Sequence, residues 1–268
     1  MVNGIEVFRE RFWSFNEQFT IIGGTACSIL FDEVDLEFRS THDLDIVLMA
    51  EALNESFARE FWDFITEGGY ELQEKSSGKP LFYRFSKPGN ETFPKMIELF
   101  SRMPDGMELY KYNGLTPLHI SDEILSLSAI LLDDEYYHFI RSGRGVVGNL
   151  PVLKAAYLVP FKMKAWLDLI DRKNKGQSID SKDIKKHRND VFRIVPLINV
   201  AESVEVSKAI KADIDAFLHM MPSETIDLKS LGIQKRTLDS IIELYSSLYV
   251  YEEKNSNVDN STTRISKV

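Results

Sequence analysis

The sequence predicts an α/β (α+β) mixed-sheet domain followed by a mainly helical C-terminal domain. Segments with helical and strand-like apolar patterns alternate through residues 1–100 in the order α-β-α-β-α-β-β-β, which favours a sheet covered by helices. From residue 153 onward, apolar residues recur almost only at helical spacing. We therefore expect a sheet domain at 1–150 and a helical domain at 151–251. Residues 252–268 contain few apolar side chains, which predicts a disordered tail.

The first elements follow from short apolar patterns. Apolar residues at helical spacing predict a helix over 5–17. The apolar run 19–22 ends at two glycines, which predicts a strand and a turn. Residues 26–31 suit a buried helix, and 43–49 suit a second strand.

Further elements are predicted along the rest of the sheet domain. An amphipathic helix over 54–67 should end at Gly68-Gly69 because glycine is the favoured residue after a helix. Strands are expected at 70–74, 81–85 and 96–100.

The following segments are less clear, up to the helical half. Residues 101–117 are rich in turn residues, and Leu125–Leu132 fits either a strand or a helix. A helix is expected at Asp134–Ser142. In the second half, four helical segments are expected, at 153–173, 180–199, 203–220 and 234–250.

Composition limits the class of protein. The chain has 268 residues, 44% hydrophobic and 27% charged, which is typical of a globular protein with a real core. Its single cysteine, Cys27, excludes an intramolecular disulfide framework and a multi-cysteine zinc site. No apolar run approaches the roughly 20 residues needed to cross a bilayer, so we expect no membrane partner and a cytoplasmic location.

The net charge of −9 disfavours general nucleic-acid binding, because an acidic surface repels phosphate. A basic cluster over 172–188 is a local exception. It fits either a solvated helical face or a groove for an acceptor such as the end of an RNA.

The first candidate site is the turn Gly23-Gly24-Thr25, between a predicted strand and a predicted helix. Glycines let the backbone turn tightly and approach a ligand, and a helix N-terminus attracts phosphate. The Thr25 hydroxyl would add a donor to phosphate. The alternative is a plain strand–turn–helix connection in which Thr25 caps the helix.

The second candidate is Asp43-Leu44-Asp45 on the second predicted strand. Side chains two residues apart on a strand project to the same face, so both carboxylates should point one way. Two such carboxylates repel each other unless a cation lies between them, and oxygen ligands suit Mg²⁺ or Mn²⁺. The alternative is that Asp43 caps a turn and Asp45 is solvated.

Glu98 is the third candidate, because it alternates with apolar residues in the predicted strand 96–100. A neighbouring strand position would bring it beside Asp43 and Asp45. Three carboxylates can hold two metal ions about 3.5–4 Å apart. The alternative is that Glu98 simply faces solvent.

These motifs resemble those of a known superfamily. A Gly-Gly-Thr turn, an Asp-x-Asp strand about twenty residues later and an acid on a later strand resemble the nucleotidyltransferase superfamily of DNA polymerase β type. The stretches 21–26 and 38–46 are more similar to the AbiEii-like family, which contains toxins of toxin–antitoxin systems. Lys162-Met163-Lys164-Ala165 and Ser181-Lys182-Asp183 match its later Lys-x-x-Ala and Lys-Asp elements, and Trp166 departs from its usual aliphatic residue.

The resemblance covers about residues 19–195 and implies roles for individual residues. It implies that 1–150 is a nucleotidyltransferase-like catalytic domain that uses a nucleoside triphosphate (NTP) and Mg²⁺ or Mn²⁺. The implied metal ligands are Asp43, Asp45 and Glu98, with Glu98 also a possible base. The implied nucleotide-binding residues are Gly23, Gly24, Thr25, Arg39, Lys162, Lys182 and Asp183.

The implied function is transfer of a nucleoside monophosphate to an acceptor hydroxyl on tRNA, another RNA end or a protein. The resemblance also implies a toxin role and an antitoxin protein as partner. The alternative is a catalytically inactive protein of the same fold that binds nucleotide or regulates a partner. A Glu98 side chain pointing away from the two aspartates would favour that alternative.

Overall fold

The computed structural model describes residues 3–75, 82–100, 116–117, 130 and 133–251. Its main sheet is formed by β1 (Phe19–Ile21), β2 (Asp43–Leu48), β3 (Glu71–Lys75), β4 (Phe82–Ser86), β5 (Met96–Phe100), β6 (Thr116–Pro117), β7 (Arg144–Val147) and β8 (Leu150–Leu153). The α-helices in the described residues are α1 (Ile5–Phe12), α2 (Gly23–Asp32), α3 (Glu55–Gly68), α4 (Asp134–Gly143), α5 (Ala155–Asn174), α6 (Ser181–Arg193), α7 (Lys208–Met220) and α8 (Leu238–Leu248). Two short strands, β9 (Val204–Glu205) and β10 (Tyr249–Val250), pair with each other.

The main sheet is mixed, with the order β6-β3-β4-β5-β2-β1-β8-β7 in the described residues. Its centre is β2, which runs parallel to β5 and antiparallel to β1. The predicted class, a mixed-sheet domain followed by a mainly helical region, is confirmed.

The hairpin β7–β8 was not predicted, because its short strands follow the predicted helix at Asp134–Ser142 in a segment to which the sequence pattern assigns no strand. Strand β8 begins at Leu150, the last residue of the predicted first domain, and pairs in parallel with β1. Most of 101–117 and of Leu125–Leu132 lies outside the described residues, as does the predicted tail 252–268.

Aromatic packing fixes α1 and α3 against the sheet. Five phenylalanines of α1 and α3 are almost fully buried. Phe8, Phe12 and Phe57 contact Phe19 of β1, and Phe61 and Phe64 contact Phe12. Helix α3 starts where Asn54 accepts a hydrogen bond from the Phe57 amide at 2.9 Å. It ends at Gly68, and the next residue, Gly69, has a left-handed φ of 62°, as the glycine pair predicts.

Two buried tyrosines join the end of the described chain to the helices beside the sheet. The Tyr245 hydroxyl donates to the Val191 carbonyl at 2.6 Å, and the Tyr249 hydroxyl donates to the Ala156 carbonyl at 2.5 Å. Helix α5 also packs against α2, α6 and α7, so α5 and α6 are held close to the N-terminus of α2. None of the described helices is both long and apolar enough to span a bilayer.

Candidate active site

A cleft of about 740 Å³ of empty space, its open mouth included, lies where α2, β2, β5, α5 and α6 meet. It is lined by the glycine turn, by acids and cations of the candidate set, and by part of α5. The lining residues are Ile22, Gly23, Gly24, Arg39, Thr41, Asp43, Asp45, Arg84, Glu98, Leu158, Phe161, Lys162, Ala165, Lys186 and His187.

Positions 23 and 24 require glycine because neighbouring side chains leave no room for a Cβ. Gly23 has a φ of +68°, and a Cβ added there would lie 1.8 Å from Oδ2 of Asp45. A Cβ on Gly24 would lie 2.6 Å from Oγ1 of Thr41. The Ile22 amide donates to the Asp45 carbonyl at 3.0 Å, so the turn and β2 are joined by the backbone as well. The turn therefore holds the Asp45 carboxylate directly against the N-terminus of α2.

Gly23→Ala is expected to lower the free energy of unfolding by more than Gly232→Ala does. Both glycines have positive φ, which costs a non-glycine residue about 1–3 kcal/mol. A Cβ at Gly232 meets nothing within 4 Å, whereas the one at Gly23 displaces Asp45. Urea unfolding followed by circular dichroism measures both variants. Equal losses would show that Gly23 is needed only for its backbone conformation.

Thr25 has a role that the sequence did not predict. Its side chain is fully buried, and its hydroxyl donates to the Asp43 carbonyl at 2.5 Å. The residue before α2 is Ile22, which gives no side-chain cap. Thr25 is thus neither part of the cleft lining nor the cap of the helix; it joins α2 to the start of β2.

The acidic residues meet on adjacent strands. Asp45 of β2 pairs in register with Glu98 of β5, which pairs in register with Arg84 of β4. Paired residues on neighbouring strands project to the same face of a sheet, so these three side chains form one row. Asp43 lies two residues before Asp45 on the same strand and lines the same cleft.

Burial raises the pKa of Asp45 to about 6, and the nearby charge of Asp43 adds to this effect. Burial also raises the pKa of Glu98 well above its usual value, as does the charge of Asp45, while Arg84 opposes the rise. The two buried carboxyl groups lie on paired positions of neighbouring strands. The site therefore concentrates negative charge that needs a proton or a cation.

Two of the three candidate carboxylates, those of Asp43 and Asp45, suit a divalent cation. Within the described ranges, no group of three or more His, Cys, Asp or Glu side chains is arranged to hold a metal ion. The Glu98 carboxylate is occupied by Arg84, whose Nε lies 2.9 Å from Oε1. The carboxylates of Asp43 and Asp45 face the same cleft and have the oxygen chemistry that Mg²⁺ and Mn²⁺ prefer.

Two of the cations that line the cleft, Arg39 and Lys162, contact Asp190, which the sequence did not single out. Arg39 donates to both carboxylate oxygens of Asp190, through Nε at 2.8 Å and Nη2 at 2.7 Å. Nζ of Lys162 lies 3.4 Å from Oδ2, and Nη1 of Arg193 lies 3.1 Å from Oδ1. Burial alone would raise the pKa of Asp190, but Lys162 and Arg39 hold it well below its usual range.

A signal for Asp190 was present in the sequence. The buried face of α6 includes Ile184, His187 and Val191, and Asp190 lies on the same face with no exposed surface. An acid on the apolar face of an amphipathic helix is almost never buried without a partner. That pattern predicts a buried cation nearby, and here Arg39 and Lys162 supply it.

Two predicted residues of α6 lie away from the cleft. Lys182 is exposed in the first turn of α6, and neither Lys182 nor Asp183 is among the residues that line the cleft. Lys186 and His187, one turn later on the same helix, line it instead. A contact of Lys182 and Asp183 with nucleotide stays a prediction.

Cys27 lies in the fully buried layer near the cleft and provides a test of the packing. Burial raises the pKa of its thiol to about 12, so the thiol is protonated and shielded at neutral pH. We expect the native protein to react with Ellman's reagent at least about a hundredfold more slowly than the protein unfolded in guanidinium chloride. Rapid reaction of the native protein would contradict the observed burial.

The chain matches no protein-family model, and no curated protein matches it. Among solved structures, it is similar to an antigenic nucleotidyltransferase-like protein from Paracoccidioides brasiliensis, with 13% identity and a TM-score of 0.40 over 88% of this chain and 94% of that one. It is also similar to MenT4, a nucleotidyltransferase toxin from Mycobacterium tuberculosis H37Rv, with 15% identity and a TM-score of 0.25 over 87% of this chain and 86% of that one. Sequence identities and TM-scores this low do not establish the function of this chain.

Proposed function

We propose that this protein is a nucleotidyltransferase that moves a nucleoside monophosphate from an NTP to an acceptor hydroxyl, with Mg²⁺ or Mn²⁺. One observation carries the proposal. Asp43 and Asp45 share a single cleft with the glycine turn at the N-terminus of α2 and with four cations, Arg39, Arg84, Lys162 and Lys186.

The residues of the cleft supply the binding chemistry of a triphosphate. The first amides of α2 have no partner within the helix, and its N-terminus carries a partial positive charge, so both attract phosphate oxygens. Arg39 and Lys162 place two cations in the same cleft and are held there by Asp190. Asp43 and Asp45 would hold the divalent ion, which offsets charge on the phosphates when bound.

The reaction needs little further chemistry from the protein. The acceptor oxygen forms a bond to the α-phosphorus, the bond to the leaving pyrophosphate breaks, and the hydroxyl proton leaves. Positioning and charge neutralisation supply most of the catalysis in such a transfer. Glu98 lines the cleft, and we propose its carboxylate as the acceptor of that proton.

Incubation with α-³²P-labelled NTPs and Mg²⁺ tests the proposal directly. We expect label on tRNA, another RNA or a protein, and none when the label is on the γ-phosphate. Transfer of γ-label would indicate a kinase instead. No transfer of α-label to any of these acceptors would contradict the proposal.

The inactive alternative has less support. The Glu98 side chain lies beside Asp45, whereas an orientation away from the aspartates would have favoured it. Calorimetry with NTP and Mg²⁺, followed by an incubation with tRNA or total protein, separates the two hypotheses, because an inactive protein would bind nucleotide and form no product.

We also propose a biological role as a cytoplasmic toxin controlled by an antitoxin protein, supported by the sequence motifs of residues 21–46. Induced expression in a bacterial host should slow growth, and expression of Asp43→Asn should not. Equal growth of the two cultures would remove the support for this role.

A further inference from the structure

Arg84, Glu98 and Asp45 form a row of side chains across three neighbouring strands. In the paired register, Arg84 of β4 lies next to Glu98 of β5, and Glu98 lies next to Asp45 of β2. All three side chains line the cleft. The row therefore has one fixed positive charge followed by two acids.

The contact between Arg84 and Glu98 is close and shielded from water. Nε and Nη2 of Arg84 both donate to Oε1 of Glu98, at 2.9 and 2.5 Å. The side chains are only 17% and 7% exposed. A charge-assisted contact with little exposure is stronger than a surface ion pair, so Glu98 is firmly held.

This contact changes what the three carboxylates can bind. Three free carboxylates are enough to hold two divalent ions about 3.5–4 Å apart. Here the Arg84 guanidinium already neutralises Glu98, and a cation beside Glu98 would be repelled by it. The charge left for a metal ion is that of Asp43 and Asp45.

We propose that Arg84 is a positioning residue that pairs with Glu98 and keeps its carboxylate from binding a metal ion. The free protein then binds one divalent ion, on Asp43 and Asp45, rather than two. The inference rests on the proposed function of this cleft and adds the number of metal ions to it. Arg84 takes the place of a second ion as the counter-charge of Glu98.

Titration with Mn²⁺ alone, followed by the electron paramagnetic resonance signal of the free ion, tests the inference. We expect one bound ion per chain in the wild type, two in Arg84→Met and one in Arg84→Lys, which keeps the positive charge. Adding Glu98→Gln to Arg84→Met should return the number to one. Circular dichroism checks that each variant is folded. Arg84→Gln, which also removes the charge and should bind two ions, keeps the test if the methionine variant fails to fold.

The possible outcomes distinguish a failure of this inference from a failure of the proposed function on which it rests. Two ions in the wild type, or one ion in a folded Arg84→Met, would overturn the inference while leaving α-label transfer intact. If Arg84→Met does not fold, one ion in a folded Arg84→Gln would also overturn it, as would two ions in Arg84→Lys. A wild type that neither binds Mn²⁺ nor transfers α-label would overturn the inference and the proposed function together.

Discussion

Asp43→Asn combined with Asp45→Asn is expected to lower transfer of α-label by about a thousandfold or more. The two carboxylates are the proposed ligands of the divalent ion, and such an ion supplies several kcal/mol of transition-state stabilisation. Asparagine keeps the shape of each side chain but removes its charge. The measurement is the initial rate of label transfer at saturating NTP and Mg²⁺.

The thermal stability of the double variant should show whether its loss of transfer activity results from misfolding. Burial opposes the ionised form of Asp45, so its replacement by a neutral amide should leave the thermal midpoint in EDTA unchanged or higher. The exposed pair Asp63→Asn and Asp239→Asn removes the same number of charges away from the cleft and should keep full activity. Transfer within tenfold of the wild-type rate would show that Asp43 and Asp45 do not hold the ion.

Asp190→Ala is expected to lower the free energy of unfolding by about 3–5 kcal/mol, because it leaves buried cations without their shared counter-charge. Lys162 is only 8% exposed at its side chain, and Arg39 is 22% exposed. Urea unfolding measures the loss. The matched control is Asp171→Ala, which breaks an exposed ion pair with Lys175 and should cost far less. Equal losses in the two variants would contradict the proposed role of Asp190.

The contribution of Asp190 should depend on pH in a defined direction. The folded protein holds the pKa of Asp190 well below its value of about 3.9 in an unfolded chain. Its stabilisation is therefore fully present above that unfolded value and is lost as the pH falls toward the folded value. The difference in unfolding free energy between wild type and Asp190→Asn should be smaller at pH 3 than at pH 5. A difference that grows on acidification would contradict this assignment.

The sequence predicted the parts of the site that depend on local spacing. The glycine pair and Asp43-Leu44-Asp45 could be placed because a turn and a strand each have short, fixed patterns. The strand position of Glu98 was predicted in the same way. Its register beside Asp45 depends on the pairing of β2 with β5, which the sequence does not show.

The parts that could not be predicted depend on contacts between distant residues. Arg39 and Asp190 are 151 positions apart, and nothing in the local pattern around either one identifies the other. Arg84 joins the site only through the pairing of β4 with β5. Thr25 is a candidate phosphate donor from the sequence because it follows the glycine turn. In the structure its hydroxyl instead donates to the backbone of β2.

The most direct test of the account is a crystal structure with Mn²⁺ and an NTP analogue that has a methylene bridge between the α- and β-phosphates. Anomalous diffraction then locates the ion without ambiguity. We expect the ion on Asp43 and Asp45, and the triphosphate against Gly23-Gly24 with Arg39 and Lys162 beside it. An ion away from Asp43 and Asp45, or a triphosphate outside this cleft, would contradict the account.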